Sequence, residues 1–173
     1  MRITRIGFFI RIIRVNSHIS IMKAQAAKKF EILQEEPSVR LKVFGSSPKE
    51  LFQNAIQAMA YVQKPELLEQ SAVGRLIGGV RGRRVSDDIS LDSMDYSTLL
   101  VDFLGEVLSR SENHNAVFLE TKFKELSELK AEGRLYGVKV ADFSKNIKSI
   151  AFHEVEVKEI QPGKWECLLV FDI

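Results

Sequence analysis

Apolar residues alternate with polar ones along several short segments, a spacing that predicts half-buried β-strands. The first two segments carry Phe30, Ile32, Val39, Leu41 and Val43 at alternating positions. The polar residues 34–38 between them predict a short acidic loop. Further strand-like segments occupy residues 117–123, 129–140, 147–160 and 164–173, and residues 72–85 predict one or two strands that meet at Gly78 and Gly79.

Two segments have the three- and four-residue apolar spacing of amphipathic helices. The first follows Ser47-Pro48-Lys49-Glu50, in which Ser47 can cap the helix, Pro48 suits its first position and Glu50 completes a capping box. Its apolar stripe stops at Lys64-Pro65 and consists of Leu51, Phe52, Ala55, Ile56, Met59 and Val62. The second helix follows a cap at Ser93 or Asp95, and its stripe consists of Leu99, Leu100, Phe103, Leu104, Val107 and Leu108.

The last two strand-like segments are joined by Gln161-Pro162-Gly163-Lys164, a sequence that suits a tight turn because proline fixes φ and glycine accepts a positive φ. If Gln161 faces Lys164 in an unbroken hairpin, His153 lies opposite Asp172. Lys148 then lies about 16 Å further along the strand, at roughly 3.3 Å per residue. Two main helices packed on one mixed or mainly antiparallel sheet predict an α+β domain, a two-layer sandwich.

The chain has 173 residues and a formal net charge of +2, from 25 lysines and arginines and 23 aspartates and glutamates. Seven of the basic residues and none of the acidic ones lie in the first 30 positions, which leaves 18 basic against 23 acidic residues. This mildly acidic remainder gives no reason to expect direct, sequence-specific nucleic-acid binding. Because no linker or repeat divides it, we predict a single domain over 29–173, preceded by an extension over 1–28.

Arginines interrupt the extension at short intervals, so it has no apolar run of the roughly 20 residues that span a membrane. Arg11 and Arg14 also break the apolar centre that a secretory signal needs. We therefore expect a cytoplasmic protein without membrane association, whose functional chain begins at Met22; organellar targeting by the acid-free extension is the alternative. The single cysteine, Cys167, fits a reducing compartment and alternates in phase with apolar neighbours, which predicts a core position.

The sequence contains no motif of a self-contained enzyme. Gly45-Ser46-Ser47-Pro48-Lys49 lacks the second glycine and the Gly-Lys-Ser/Thr ending of a phosphate-binding loop. The three histidines are too dispersed to indicate a metal site. The remaining candidate is the chain end, where the Asp172 side chain and the carboxylate of Ile173 offer oxygen ligands to a hard cation, unless they are simply solvated.

Four fragments, taken in order, resemble the archease family over residues 30–173. The first runs through Phe30-Glu31-Ile32-Leu33, 39–45 and 50–55, and resembles the family's opening strand, glycine-ended second strand and first helix. Residues 96–106 resemble the second helix, and Ile147-Lys148-Ser149-Ile150-Ala151-Phe152-His153 is similar to the family's Lys-Ala-x-Thr-Tyr-His strand. Phe171-Asp172-Ile173 matches its acidic ending.

The resemblance implies an accessory protein and not an enzyme. Archeases assist the RNA ligase that joins 2′,3′-cyclic or 3′-phosphate ends to 5′-hydroxyl ends in tRNA splicing and RNA repair. They promote guanylylation of the ligase and its multiple turnover, so GTP is bound only through the ligase. The family also binds a divalent cation, with calcium the expected ion, at a site formed by the first loop and the C-terminus.

The first loop departs from the family's Asp/Glu-His-Thr-Ala-Asp pattern. Ser38 occupies the position of the last residue of that pattern, the second aspartate, which binds the metal in the family. A serine hydroxyl is a neutral and weak ligand. The resemblance therefore implies a site in which Asp172 and Ile173 bind the cation with Ser38 or with the nearby carboxylates of Glu35 and Glu36, or a site that is weakened or lost.

Two further residues take expected roles from the resemblance. Lys148 matches the family's functional lysine, which implies a charged contact with the ligase or its phosphate-bearing ligand; the alternative is a solvated lysine on a strand face. His153 is expected to orient Asp172 or to form a structural cross-strand pair with it. The competing interpretation of the whole chain is a chaperone-like or protein-binding module of the same fold that has lost the metal site.

Overall fold

The computed structural model describes residues 29–73 and 81–173 of the chain. The elements are β1 (Phe30–Gln34), β2 (Ser38–Gly45), α1 (Pro48–Gln63), α2 (Pro65–Val73), β3 (Arg84–Asp92), α3 (Tyr96–His114), β4 (Ala116–Leu126), β5 (Lys130–Lys139), β6 (Ser149–Ile150), β7 (Lys158–Gln161) and β8 (Lys164–Asp172). A short 3-10 helix, Phe152–Glu154, separates β6 from β7. The predicted extension over 1–28 and residues 74–80 of the strands predicted over 72–85, with Gly78 and Gly79, lie outside the described residues. At the two ends of that prediction, residues 72–73 end α2 and are not a strand, and β3 begins at Arg84.

The strands form two antiparallel sheets. In the first sheet, β8 lies at the centre, with β2 and then β1 on one side and the short strands β6 and β7 on the other. In the second sheet, β5 lies between β3 and β4. The predicted α+β class and antiparallel pairing are confirmed, although the strands are divided between two sheets and not joined in one.

Helix α1 contacts β2 and β8 of the first sheet and β4 of the second, which explains why it is buried on almost every side. Its predicted cap is confirmed, since the Ser47 hydroxyl accepts a hydrogen bond from the Glu50 N–H at 3.2 Å. The Glu50 carboxylate reaches back to the N–H of Ser46, at 2.7 Å, and so completes the cap one residue earlier than a standard capping box. The helix ends before Lys64, as predicted, but α2 begins at once with Pro65 in its first position.

Helix α3 is capped by Asp95, whose carboxylate accepts a hydrogen bond from the Thr98 N–H at 2.8 Å. All six residues of its predicted apolar stripe are buried. Cys167 is also buried, 2% exposed, and burial raises the pKa of its thiol to about 12, so the predicted core position is confirmed. No helix in the two described parts of the chain is long and apolar enough to cross a membrane.

The segment predicted as one strand over 147–160 is interrupted. Gln161 faces Lys164, as expected from the turn, but a bulge between Glu159 and Gln161 changes the register by one residue. The 3-10 helix then breaks the pairing further, so that Ser149, and not His153, faces Asp172. The predicted pairing of His153 with Asp172 is therefore wrong by four positions along the strand.

Candidate functional site

Three strands of the first sheet bring the site together at one of its corners. Strand β2 begins at Ser38, β8 ends at Asp172 and β6 begins at Ser149, and these three residues face one another across the sheet. Directly opposed residues of neighbouring strands project to the same face. The Asp172 carboxylate consequently lies between two serines, and it accepts a hydrogen bond from the Ser149 hydroxyl at 2.5 Å.

Lys148 joins this corner through both its backbone and its side chain. Its N–H donates to the main-chain oxygen of Asp172 at 2.8 Å, and its ammonium group donates to the main-chain oxygen of Ile173 at 3.0 Å. The sequence placed this lysine about 16 Å beyond the residue opposite Asp172, at roughly 3.3 Å per residue. That placement is wrong, because the bulge and the 3-10 helix absorb the residues that an unbroken hairpin would have paired.

His153 lies in the 3-10 helix, exposed, with its ring 6.3 Å from that of Phe152. The next residue, Glu154, forms a two-pronged ion pair with Arg40 of β2, at 2.7 and 3.0 Å. This exposed ion pair connects the 3-10 helix to β2 of the first sheet. The geometry expected for His153, beside the Asp172 carboxylate, is not observed, and Ser149 holds that carboxylate instead.

The two acidic residues of the loop between β1 and β2 lie in different surroundings. The Gln34 amide donates to the main-chain oxygen of Glu36 at 2.8 Å and so braces the loop. Glu35 lies towards Tyr61 of α1. Burial is the main cause that raises the pKa of the Tyr61 hydroxyl, and the negative charge of Glu35 raises it further. Glu36 instead borders the corner that contains Lys148 and Ile173.

An open pocket of about 510 Å³ adjoins this corner. Its lining residues are Glu36, Pro37, Lys145, Asn146, Lys148 and Ile173. Two ammonium groups, one amide, the Glu36 carboxylate and the Ile173 carboxylate therefore surround an open space. Such a surface can bind charged groups of another molecule through charge-assisted hydrogen bonds. Residues 29–73 and 81–173 include no group of three or more His, Cys, Asp or Glu side chains placed to hold a metal ion.

The structure brings five of the residues selected from the sequence to one corner: Lys148, Asp172, Ile173, Ser38 and Glu36. Sequence reasoning missed Ser149, which binds Asp172, and the pair Lys145 and Asn146, which border the pocket. These residues precede or begin β6 in a polar stretch without periodicity. Their position near Asp172 follows from the four-residue shift in register, and the sequence of this stretch does not indicate that shift.

Comparisons with known proteins agree with this fold. The family described as Archease protein family (MTH1598/TM1083) matches residues 30–173. Among curated proteins, the archeases of Methanosarcina acetivorans and Methanosarcina barkeri are 27% and 28% identical to this chain over 154 residues. Each alignment covers 84% of this chain and 97% of the relative.

The solution structure of Methanobacterium thermoautotrophicum protein 1598 has a similar fold, with a TM-score of 0.60 and 21% sequence identity. The similarity covers 84% of this chain and 99% of that protein. The match of the family over residues 30–173 contains every described strand and helix. The chain belongs to the archease family.

Proposed function

We propose that this protein is an accessory factor that activates a GTP-dependent RNA ligase, promoting its guanylylation and repeated turnover in tRNA splicing or RNA repair. In this proposal the chain performs no catalysis, GTP is bound by the ligase alone, and the two proteins meet in the cytoplasm. Membership of the archease family supports the proposal. The observation that carries it is the meeting of Lys148 with Asp172 and Ile173 beside an open pocket.

Lys148 is fixed at its backbone, and its side chain is exposed. The hydrogen bond from its N–H to Asp172 anchors the main chain, whereas its side chain is exposed and bonded to one main-chain oxygen. The ammonium group can therefore exchange the Ile173 oxygen for a phosphate or carboxylate oxygen of the ligase complex without any movement of the sheet. Lys145 adds a second positive charge on the same side of the pocket.

Replacing this lysine tests the proposal. We expect Lys148→Ala to reduce the stimulation of GTP-dependent guanylylation of the cognate ligase about tenfold, because a hydrogen bond to a charged group contributes about 1.5 kcal/mol or more. The readout is the initial rate of incorporation of labelled GTP into the ligase. Lys164→Ala is the matched control, since Lys164 is exposed and begins the strand that ends at Asp172, about 26 Å away at roughly 3.3 Å per residue.

Two results would contradict the proposal at different levels. An unchanged guanylylation rate over a concentration series of the wild-type protein would exclude activation itself. Equal loss in Lys148→Ala and Lys164→Ala, or no loss in either, would exclude the assigned role of Lys148. Circular dichroism of both variants shows whether the fold is intact.

One observation favours a second candidate function, a protein-binding or chaperone-like module without the activating role. Ser38 faces Asp172, at the position where the resemblance implies a second metal-binding aspartate. Loss of that carboxylate can accompany loss of activation. This candidate predicts that the ligase is retained in a pull-down with the protein while its guanylylation rate stays at the basal level.

A further inference from the structure

Strand β3 lies at one edge of the second sheet. It has nine residues, and in the described parts of the chain it pairs with β5 alone. The opposite edge of this sheet, at β4, is bound by the Gln53 side chain of α1. A long edge strand with unpaired backbone groups is a template for an added strand. We propose that β3 pairs with β3 of a second copy of this chain, which joins two three-stranded sheets into one sheet of six strands.

The hydrogen bonds just beyond the ends of β3 show which of its backbone groups point outward. At one end, the Ser93 N–H donates to the Leu129 oxygen at 2.9 Å. At the other end, the Lys139 N–H donates to the Arg83 oxygen at 2.8 Å. The register between them is unbroken, so odd-numbered residues of β3 bond to β5 and even-numbered ones direct their N–H and C=O groups to the outer edge. The outward-directed residues all have exposed side chains: Arg84, Ser86, Asp88, Ser90 and Asp92.

The order of these residues suits the pairing of β3 with itself. An antiparallel pair centred on Asp88 uses the full length of both strands. In this register Arg84 faces Asp92 of the second copy, and Ser86 faces Ser90. Because the pair is symmetric, the Arg84–Asp92 contact forms twice, once at each end. Opposite charges that face each other across a strand pair stabilise it.

The face of β3 towards α3 adds a matching apolar contact. Val85 and Leu91 pack against the core, but each is only partly buried in the single chain. In the same register Val85 of one copy faces Leu91 of the other, again at both ends. The pairing therefore removes further apolar surface from water.

The two aspartates in the middle of β3 carry their own counterions. Asp88 accepts two hydrogen bonds from the Arg134 guanidinium, at 2.6 and 2.9 Å, which offset the repulsion between the two copies of Asp88 at the centre of the pair. Asp87 forms an ion pair with Arg110 at 3.2 Å. Arg110 also donates to the outward Asp88 main-chain oxygen at 3.4 Å, and a carbonyl oxygen has two lone pairs, so it can accept a second hydrogen bond.

Sedimentation velocity of the full chain over a concentration series tests the proposal. We expect the wild-type protein to sediment with twice the mass of one chain at micromolar concentrations and to dissociate on dilution. Arg84→Glu and Asp92→Arg each place like charges at both ends of the pair, so either variant alone should have a dissociation constant raised about tenfold. An equimolar mixture of the two variants should recover the dimer, because every end contact then joins opposite charges.

A backbone variant tests the same edge independently of charge. Ser90→Pro removes an N–H of the outer edge and none that bonds to β5, so it should abolish the dimer while the single chain keeps its fold. Lys158→Glu is the matched control for the charge reversals, because Lys158 is exposed on β7 of the first sheet, and it should leave the dimer unchanged. Circular dichroism of every variant checks the fold.

Three results would overturn the inference. The first is a wild-type protein that stays monomeric over the whole series. The second is a dimer that neither Arg84→Glu nor Ser90→Pro weakens, because it then uses another surface. The third is hydrogen exchange in which the Ser86 and Ser90 amides are protected equally at all concentrations, because a segment of the same chain then covers this edge. These measurements involve no ligase, so their failure is distinguishable from a failure of ligase activation.

Discussion

Two glycines of β5 set how closely β4 can approach it. A Cβ atom on Gly137 would lie 2.4 Å from the Val117 oxygen and 3.0 Å from the Phe118 Cα, and one on Gly133 would meet the backbone of β4 at 2.5 Å. Each glycine faces a phenylalanine of β4 that comes just before a shift in register. The glycines therefore make room for the backbone of β4 at its two bulges.

The substitution Gly137→Ala should lower the free energy of unfolding by about 2 kcal/mol, because backbone atoms on both strands must move to admit the methyl group. Gly105→Ala is the matched control, since a methyl group added there, on the exposed face of α3, would have no atom within 4 Å. At that position the same change should raise the free energy of unfolding by about 0.5–1 kcal/mol through helix propensity. Urea denaturation midpoints measure both effects. Shifts of the same sign in the two variants would refute the close-approach argument.

At the scale of single elements, the cap of α3 gives a pH dependence. The pKa of the Asp95 carboxyl lies below its usual value. The main cause is the hydrogen bond that the carboxylate accepts from the Thr98 backbone N–H. A carboxyl whose pKa is lower in the folded state contributes stability above its unfolded pKa of about 3.9 and loses it as pH falls through the folded pKa. The helix cap therefore weakens in acid.

We expect Asp95→Ala to lower the free energy of unfolding by about 1 kcal/mol near neutral pH, as for other helix caps. Asp95→Asn keeps a capping oxygen without a titrating group, so it separates the cap from its charge. The stability difference between wild type and Asp95→Asn should shrink as pH falls from about 5 to about 2.5, because only the aspartate is protonated there. Denaturation curves across this range measure the difference. A difference that is constant with pH would exclude the charged cap.

Features that depend on residues close together in the sequence were predictable, whereas features that depend on how strands pair were not. The caps at Ser47 and Asp95 follow from side chains that lie within three residues of the N–H groups they bind. Helix α2 was missed because Pro65, which ends one helix, also suits the first position of another. The position of Lys148 beside Asp172 depends on a bulge and a 3-10 helix, and apolar alternation does not report either of them.

At the scale of the whole molecule, α1 ties the two sheets together through neighbouring amides. The Gln53 side chain bridges the free edge of β4, donating to the Leu119 oxygen at 3.0 Å and accepting from the Thr121 N–H at 2.8 Å. The next residue, Asn54, donates to the Phe44 oxygen of β2 at 2.7 Å. Side chains of this one helix therefore bind backbone groups of both sheets.

A series of aromatic rings makes the same connection through the core. Phe123 of β4 contacts Phe52 of α1 at 6.2 Å between ring centres, Phe52 contacts Tyr96 of α3 at 6.3 Å, and Tyr96 contacts Trp165 of β8 at 5.8 Å. The rings lead from the second sheet to the first. Phe52 is fully buried, and its ring is linked to the second sheet directly through Phe123 and to the first sheet through Tyr96 and Trp165.

We therefore expect the protein to unfold in a single calorimetric transition, with the two sheets melting together. Phe52→Ala should lower the free energy of unfolding by about 3–5 kcal/mol and the Tm by about 10 °C, and the transition should remain single. Leu33→Ala is the control, because Leu33 lies on the first sheet with 52% of its surface exposed and should change the Tm little. Scanning calorimetry, with circular dichroism as a second probe, measures both variants. Two separate transitions, in wild type or in Phe52→Ala, would show that the sheets are independent units and that α1 does not couple them.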